Sequence, residues 1–308
     1  MRVFLTGATG YIGNTVAEAL ISAGHEVVGL ARSDQSAEKL TAAGVTPYRG
    51  DIKDLDSLKE GASAAECVIH TGFSADDLSR LDIAFAQEGG AVEAMLSVLG
   101  GTAKSFLYTS GAGVFADTGD QVVDETDTPN ATGDVGLRIP IEQTVLKASE
   151  QNIRTIVIRP GLVYGKGGSG VMHALIGLVQ QAGATHTVGN GHHAWSSIHV
   201  EDLAKLYVKA IEKGPAGSVF HGVSENEASM LDIASAIARA LKLEGPAIVW
   251  PVEEAKNVLG PLAEGLASNK RLSAAKTREA LGWVPNGLGV IEEIEHGSYR
   301  AGFTAMAG

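Results

Sequence analysis

The sequence predicts an α/β protein: a doubly wound, mostly parallel sheet over residues 1–165, then a smaller C-terminal lobe over 166–308 with some segments returning to the first. Three observations predict it. Short apolar runs alternate with segments of helical spacing through the first half, a glycine-rich turn joins the first strand to the first helix, and beyond about residue 165 the alternation loosens. At 308 residues and 44% hydrophobic content the chain can bury a full core.

The elements follow in order. "RVFLTG" is a β-rich run, "YIGNTVAEALISAG" has one apolar helical face and ends at Gly24, and "HEVVGLA" is a second buried strand, which completes a βαβ unit. The alternation continues through the strand "VTPYRGD", the helix "DLDSLKEG", the strand "ECVIHTG", a long helix over about 79–99 and the strand "KSFLYTS". Helix "IEQTVLKASEQ" and strand "RTIVIRPG" close the first half. The second half carries a Gly-rich stretch and helices at 230–242 and around 273–281. Pro140 is tolerated only in a first helical turn and biases Ile139 away from α geometry, so the helix there is expected to begin near residue 140, with Asp134 and Arg138 on the loop before it.

Composition excludes several roles. A net charge of −12 without a basic run argues against nucleic acid as a partner. No stretch approaches the apolar length of a membrane span, and the N-terminus runs straight into a strand, so a cytoplasmic protein with a small-molecule substrate, monomeric or homodimeric, is expected. Cys67, the single cysteine, lies in an apolar run and reads as a buried small hydrophobe.

The turn "TGATGYIG" has glycines at 7, 10 and 13 in a strand–loop–helix context, the signature of a Rossmann-like dinucleotide site. Gly7 allows the tight turn, Gly10 a close approach to pyrophosphate and Gly13 close helix packing, with Thr9, Tyr11 and Ile12 beside the phosphates. An NAD-selective site places Asp or Glu at the end of the second strand. Here Ala31 takes that position, followed by Arg32 and Ser33, which suit a 2′-phosphate. NADP(H) is therefore expected over NAD(H), with Asp34 as a counterweight.

These landmarks, with "GDIKD", "YTSGAGVF", "RPGLVYG", "IHVEDLA" and "REALGWVP", resemble in order those of the extended short-chain dehydrogenase/reductases, the NAD-dependent epimerase/dehydratase-like group. The resemblance implies that Asp51 and Ile52 flank the adenine, that Thr71, Gly72, Phe73 and Thr109 line the dinucleotide, and that Pro160, Gly161, Leu162 and Val163 lie near the nicotinamide. It also implies a catalytic Ser or Thr and a Tyr-x-x-x-Lys pair, and these are missing. Gly111 occupies the Ser/Thr position with Thr109 and Ser110 just before it, Asp134 the Tyr position and Arg138 the Lys position; none of the six tyrosines has a Lys four residues on. Arg138 can hold the nicotinamide ribose but cannot relay a proton. The chain resembles atypical members that keep the nucleotide site and have lost the pair.

Between Gly167 and Val200 there is no charged Asp, Glu, Lys or Arg, yet five of the nine histidines fall there: His173, His186, His192, His193 and His199. By resemblance this stretch covers the substrate side, and with Phe73 and Trp195 as walls it suits a neutral, apolar or aromatic ligand; Lys166, Lys270 and Arg271 lie outside it. The histidines lack metal-ligand spacing, so no metal is expected. With no Tyr–Lys pair, the catalytic candidates are Ser110, Arg138, Tyr164 and His173, the proton coming from His173, Tyr164, a pocket histidine or water. The function expected is an NADP(H)-dependent reductase of a carbonyl or enone; a cofactor-sensing regulator without turnover and a nucleotide-sugar epimerase or dehydratase stay open as alternatives.

Overall fold

The computed structural model describes residues 1–73, 80–224 and 227–306. The first half runs β1 (Arg2–Thr6), α1 (Tyr11–Ser22), β2 (Glu26–Ala31), α2 (Asp34–Ala42), β3 (Thr46–Arg49), α3 (Leu55–Ser63), β4 (Cys67–His70), α4 (Leu81–Ser97), β5 (Ser105–Thr109), α5 (Gly133–Gly136), α6 (Arg138–Lys147) and β6 (Arg154–Pro160). The second runs β7 (Leu162–Tyr164), α7 (Gly170–Ala182), β8 (His186–Val188), β9 (Ala194–His199), α8 (Val200–Lys213), β10 (Ser218–Gly222), β11 (Glu227–Ser229), α9 (Met230–Ala240), β12 (Ile248–Trp250), α10 (Val252–Leu259), α11 (Pro261–Leu266), α12 (Ala275–Leu281), α13 (Val290–His296) and α14 (Arg300–Met306). Residue 79, the first of the expected long helix, lies outside the described residues.

Seven parallel strands form the main sheet in the order β10-β6-β5-β4-β1-β2-β3. Its central strands are buried along their length, as "CVIH" in β4 is, because helices cover both faces and leave no solvent side for polar residues to alternate onto. On one face α1 and α8 pack through Val16, Leu20, Leu203 and Leu206; on the other α3, α4 and α6 pack through Leu58, Val92, Met95 and Val145. The edge strand β10 comes from the second half of the chain. A further core gathers α7, α9 and α13 with the three-stranded sheet β11-β9-β7 and the two-stranded β12-β8. These small sheets had no clear period in the sequence because each of their strands except β9 is three residues long. Among the described residues no helix is long and apolar enough to cross a membrane.

One expectation is corrected. Helix α6 begins at Arg138, not near 140, and Asp134 lies in the short helix α5. Pro140 then sits in the first turn, where backbone N–H groups have no intrahelical acceptor and the missing donor costs nothing.

Strand β6 is locked to α6 by a buried pair: Arg159 donates from Nε to Glu142 Oε1 (3.1 Å) and from Nη2 to Oε2 (2.7 Å), with both side chains at most 3% exposed. Removing one partner strands a charge in the core. Glu142→Ala is expected to lower unfolding free energy by about 3–5 kcal/mol, read as a shifted urea midpoint at unchanged slope. A shift within about 0.5 kcal/mol would show the pair to be dispensable.

Candidate active site

The sheet order reverses between β1 and β4, and the crevice at the C-terminal ends of these strands is where open α/β sheets take ligands. Space dictates the glycines there. Gly7 has a φ of +73°, and a Cβ on it would lie 2.8 Å from the backbone of Thr71 and Gly72. A Cβ on Gly13 would lie 2.1 Å from the Gly7 carbonyl oxygen. Gly10 caps α1 with its own N–H on Gly7 O (2.9 Å) and offers no side-chain acceptor, so the amides of Tyr11, Ile12 and Gly13 end the helix uncapped, an anion-binding arrangement. Thr9 is exposed at the tip. The Tyr11 hydroxyl donates to Gly165 O (2.8 Å) and ties this turn to the segment after β7.

At the ends of β2 and β3 an open depression of about 470 Å³ is lined by Ala31, Arg32, Ser33, Asp34, Arg49, Gly50, Asp51 and Asp54. Ala31 is buried; Arg32 is exposed, with no hydrogen-bond or ion-pair partner among the described residues. Ser33 Oγ caps α2 by accepting from Ser36 N (3.2 Å). Arg49, in register with Ala31 across the β2/β3 pair, forms an ion pair with Asp34. The sequence reading missed Arg49, since only the strand register brings it beside Arg32. Asp51 accepts from Lys53 N (2.9 Å), and Ile52 lies against Gly72.

Arg138 stands at the centre of a second group. Its Nη2 reaches Glu88 on α4 (3.3 and 3.5 Å), and its guanidinium carbon lies 5.0 Å from the ring centroids of both Phe73 and Phe85. Tyr108 donates to Glu88 Oε1 (3.0 Å) and stacks on His70, whose Nδ1 is 2.7 Å from Thr6 Oγ1. Burial pushes the Glu88 carboxyl up, opposed by Arg138 and the Tyr108 hydroxyl, and pushes the Tyr108 phenol above its usual range. Burial, helped by the Arg138 charge, lowers His70 to about 3. Glu88, His70 and Tyr108 were not singled out from sequence: a glutamate in the middle of a largely apolar helix and a histidine closing a strand were the only signals.

Gly111 fronts this group, the position of a Cβ on it being 4.0 Å from Arg138 Nη1 and 3.9 Å from Pro160 O. Ser110 Oγ, His70 Nε2 and Arg138 Nε are buried with no partner among the described residues. Each such orphan costs about 1–3 kcal/mol unless something satisfies it. Thr71 donates to Thr6 O (2.8 Å), and Thr109 Oγ1 is 2.5 Å from the Tyr207 hydroxyl. Gly161 has no room for a side chain, Ser196 O lying 2.1 Å from its Cβ position, while Leu162 and Val163 pair with β9. The glycine turn, the bare helix end and these orphans fit a dinucleotide laid across the switch point.

The residues proposed as proton donors do not converge on this group. Tyr164 is corrected to a packing residue: 1% exposed, it donates its hydroxyl to Leu288 O (2.8 Å). His173 is exposed on the first turn of α7 with Nε2 on Gly167 O (2.9 Å), and His192 is exposed. His193 is half-buried, and Trp195 directs its indole N–H at Gly265 O and Ser268 O (3.2 and 2.9 Å) inside the second core. No hydrogen bond or ring contact joins any of them to Arg138 among the described residues. Counting charges along a segment cannot say which way its side chains face. His199 caps α8, accepting from Glu201 N (3.3 Å), and no cluster of three metal-ligating side chains occurs among the described residues.

The NAD dependent epimerase/dehydratase family model matches residues 3–221. An uncharacterized protein of Schizosaccharomyces pombe is 36% identical over 302 residues, spanning 97% of this chain and 100% of that one. The 4-hydroxy-2-methyl-3-oxo-4-farnesyl-3,4-dihydroquinoline-1-oxide ketoreductase of Stigmatella aurantiaca is 26% identical over 226 residues, 71% of this chain and 67% of that one. Among solved structures, the UDP-glucose 4-epimerase of Thermotoga maritima superposes with a TM-score of 0.80 over 100% of both chains at 18% identity, which is a likeness of fold.

The depressed His70 makes stability depend on pH. The unfolded chain takes up this proton near pH 6.5 and the folded one near 3, so the stability is intact above 6.5 and lost as pH falls toward 3, up to about 5 kcal/mol at 1.36 kcal/mol per unit. His221, lowered to about 4 chiefly by burial, acts in the same direction. Urea unfolding at about pH 7 and pH 4.5 is expected to show a smaller difference in His70→Gln than in the parent. Equal differences in the two proteins would refute a neutral, buried His70.

Proposed function

This chain belongs to the NAD dependent epimerase/dehydratase family, and we propose that it is a cytoplasmic NADP(H)-dependent reductase of a small, neutral, apolar or aromatic carbonyl or enone. The observation that supports the reading is the uncapped glycine turn lying beside a polar group centred on Arg138, in which the guanidinium cannot deprotonate and Glu88 is engaged by both Arg138 and Tyr108. Epimerisation and dehydration both require a protein base at the substrate. Asp134, at the Tyr position of the family, is exposed on α5, and a guanidinium does not deprotonate. Reduction needs only an oriented carbonyl.

In this reading Gly7, Gly10 and Gly13, with the amides of Tyr11 and Ile12, hold the pyrophosphate, and Asp51 and Ile52 flank the adenine. Arg32 and Arg49 take the 2′-phosphate, Arg49 by leaving Asp34, and Ser33 adds a hydroxyl at the α2 cap. Thr71, Gly72, Phe73, Thr109 and Pro160 through Val163 line the way to the nicotinamide, which supplies a hydride when bound. A neutral substrate is supported by the fate of the nearby cations: Lys270 donates to Phe115 O (2.7 Å), Arg271 pairs with Glu227 and Lys166 with Glu18, so a diphosphate would find none of them free. The test is NADPH consumption against a panel of ketones, aldehydes and enones. Tight NADPH binding with no carbonyl reduced would overturn the reading in favour of a cofactor-sensing regulator.

Cofactor choice is tested separately. Arg32→Ala and Arg49→Ala are each expected to weaken NADPH by roughly 10–150-fold, the value of one or two charge-assisted hydrogen bonds, and NADH by far less. Titration calorimetry with both cofactors decides; equal losses would remove the NADP assignment.

A further inference from the structure

Resting on the reductase reading, we propose that Arg138 donates the hydrogen bond that receives the substrate's carbonyl oxygen, and that Glu88 is the residue positioning it. The site is thereby matched to a carbonyl that is neutral until it reacts. Arg138 is held from three sides: Glu88 takes Nη2, and the rings of Phe73 and Phe85 flank the guanidinium. Its Nη1 has no hydrogen-bond partner among the described residues and is the nitrogen that faces Gly111. The backbone at Gly111 is extended, with φ 175° and ψ 165°, a conformation any residue adopts. What the glycine provides is space in front of Nη1. The two departures from the family pattern thus fit each other: the hydroxyl is absent where the guanidinium needs room.

Charge narrows the substrate class. Arg138 and the 2% exposed Glu88 cancel, so a permanently anionic group gains little here, whereas an oxygen that turns negative during reaction meets a donor already oriented toward it. The carbonyl carbon takes up two electrons and one hydrogen from the reduced nicotinamide, and the C=O π pair moves onto oxygen. Arg138 holds the resulting alkoxide without giving up its own proton. Water then protonates it and leaves hydroxide to the solvent, so the step asks no proton of Arg138.

The test uses the whole protein and its best carbonyl substrate. Arg138→Gln is expected to lower kcat roughly a hundredfold or more, as the loss of an oxyanion donor does, while NADPH affinity by fluorescence titration changes less than about threefold. Glu88→Gln is expected to lower kcat less and to leave KM for NADPH in place, and millimolar guanidinium is expected to restore part of the activity of Arg138→Ala. If the core variants fail to fold, Gly111→Ala still tests the inference: its Cβ meets nothing closer than 3.9 Å, so the fold accommodates it, and it should depress kcat by filling the space in front of Nη1 that the carbonyl oxygen needs while NADPH still binds. Equal losses of kcat/KM and NADPH affinity in Arg138→Gln would make Arg138 a ribose ligand and overturn the inference alone. Unaltered turnover in Arg138→Gln or Gly111→Ala would do the same. A parent protein that reduces no carbonyl overturns the reductase reading and this inference with it.

Discussion

Backbone packed directly on backbone at Gly7 is the constraint on which the rest of the site depends. With no Cβ at 7, the turn after β1 lies against Thr71 and Gly72 at the end of β4; with none at 13, the first turn of α1 lies on the same loop. The result is a shallow floor across the switch point, with helix amides at one end and the β4–β5 polar group at the other. Any side chain at Gly7 would separate β1 from the segment after β4 and move Phe73 away from Arg138. The nucleotide turn and the Arg138 group are therefore one mechanical unit, although they lie more than a hundred residues apart in the chain.

Much of this was legible in the sequence. Strong local signals carried it: the glycine spacing and the continuous apolar runs of strands covered on both faces. What was not legible depends on tertiary register. Arg49 matters because β3 pairs with β2 in one register and not another, and Glu88 because α4 turns that residue inward. The same limit misdirected attention to the histidines. Their density between Gly167 and Val200 is real, but His173 and His192 face solvent and His199 serves a helix cap.

A site that lacks the Tyr–Lys pair and holds Arg138 against Glu88 from α4 differs in what it can do. A tyrosine beside a lysine is valuable because it can be brought to titrate; a guanidinium keeps its charge over the whole working range of pH, while burial pushes the Glu88 carboxyl beside it up against the opposing pull of Arg138 and Tyr108. Burying such a pair is costly unless its geometry is good and its other atoms are satisfied. Here Tyr108 satisfies Glu88 on one side, Phe73 and Phe85 cover the faces of the guanidinium, and Nε has no partner among the described residues.

That incomplete satisfaction has a consequence for specificity. A fully bonded ion pair would be inert, and an isolated arginine would draw any anion, including phosphate. In the proposed role, an arginine whose charge is cancelled but whose Nη1 has no acceptor among the described residues favours groups on which negative charge appears during the reaction over groups that bring it. Phe73, 39% exposed beside the guanidinium, adds an apolar surface where a diphosphate-bearing substrate would need water or cations. Side chains of α4, α6 and the segment after β4 thus set a carboxylate, a guanidinium and an apolar ring side by side at the C-terminal edge of the sheet.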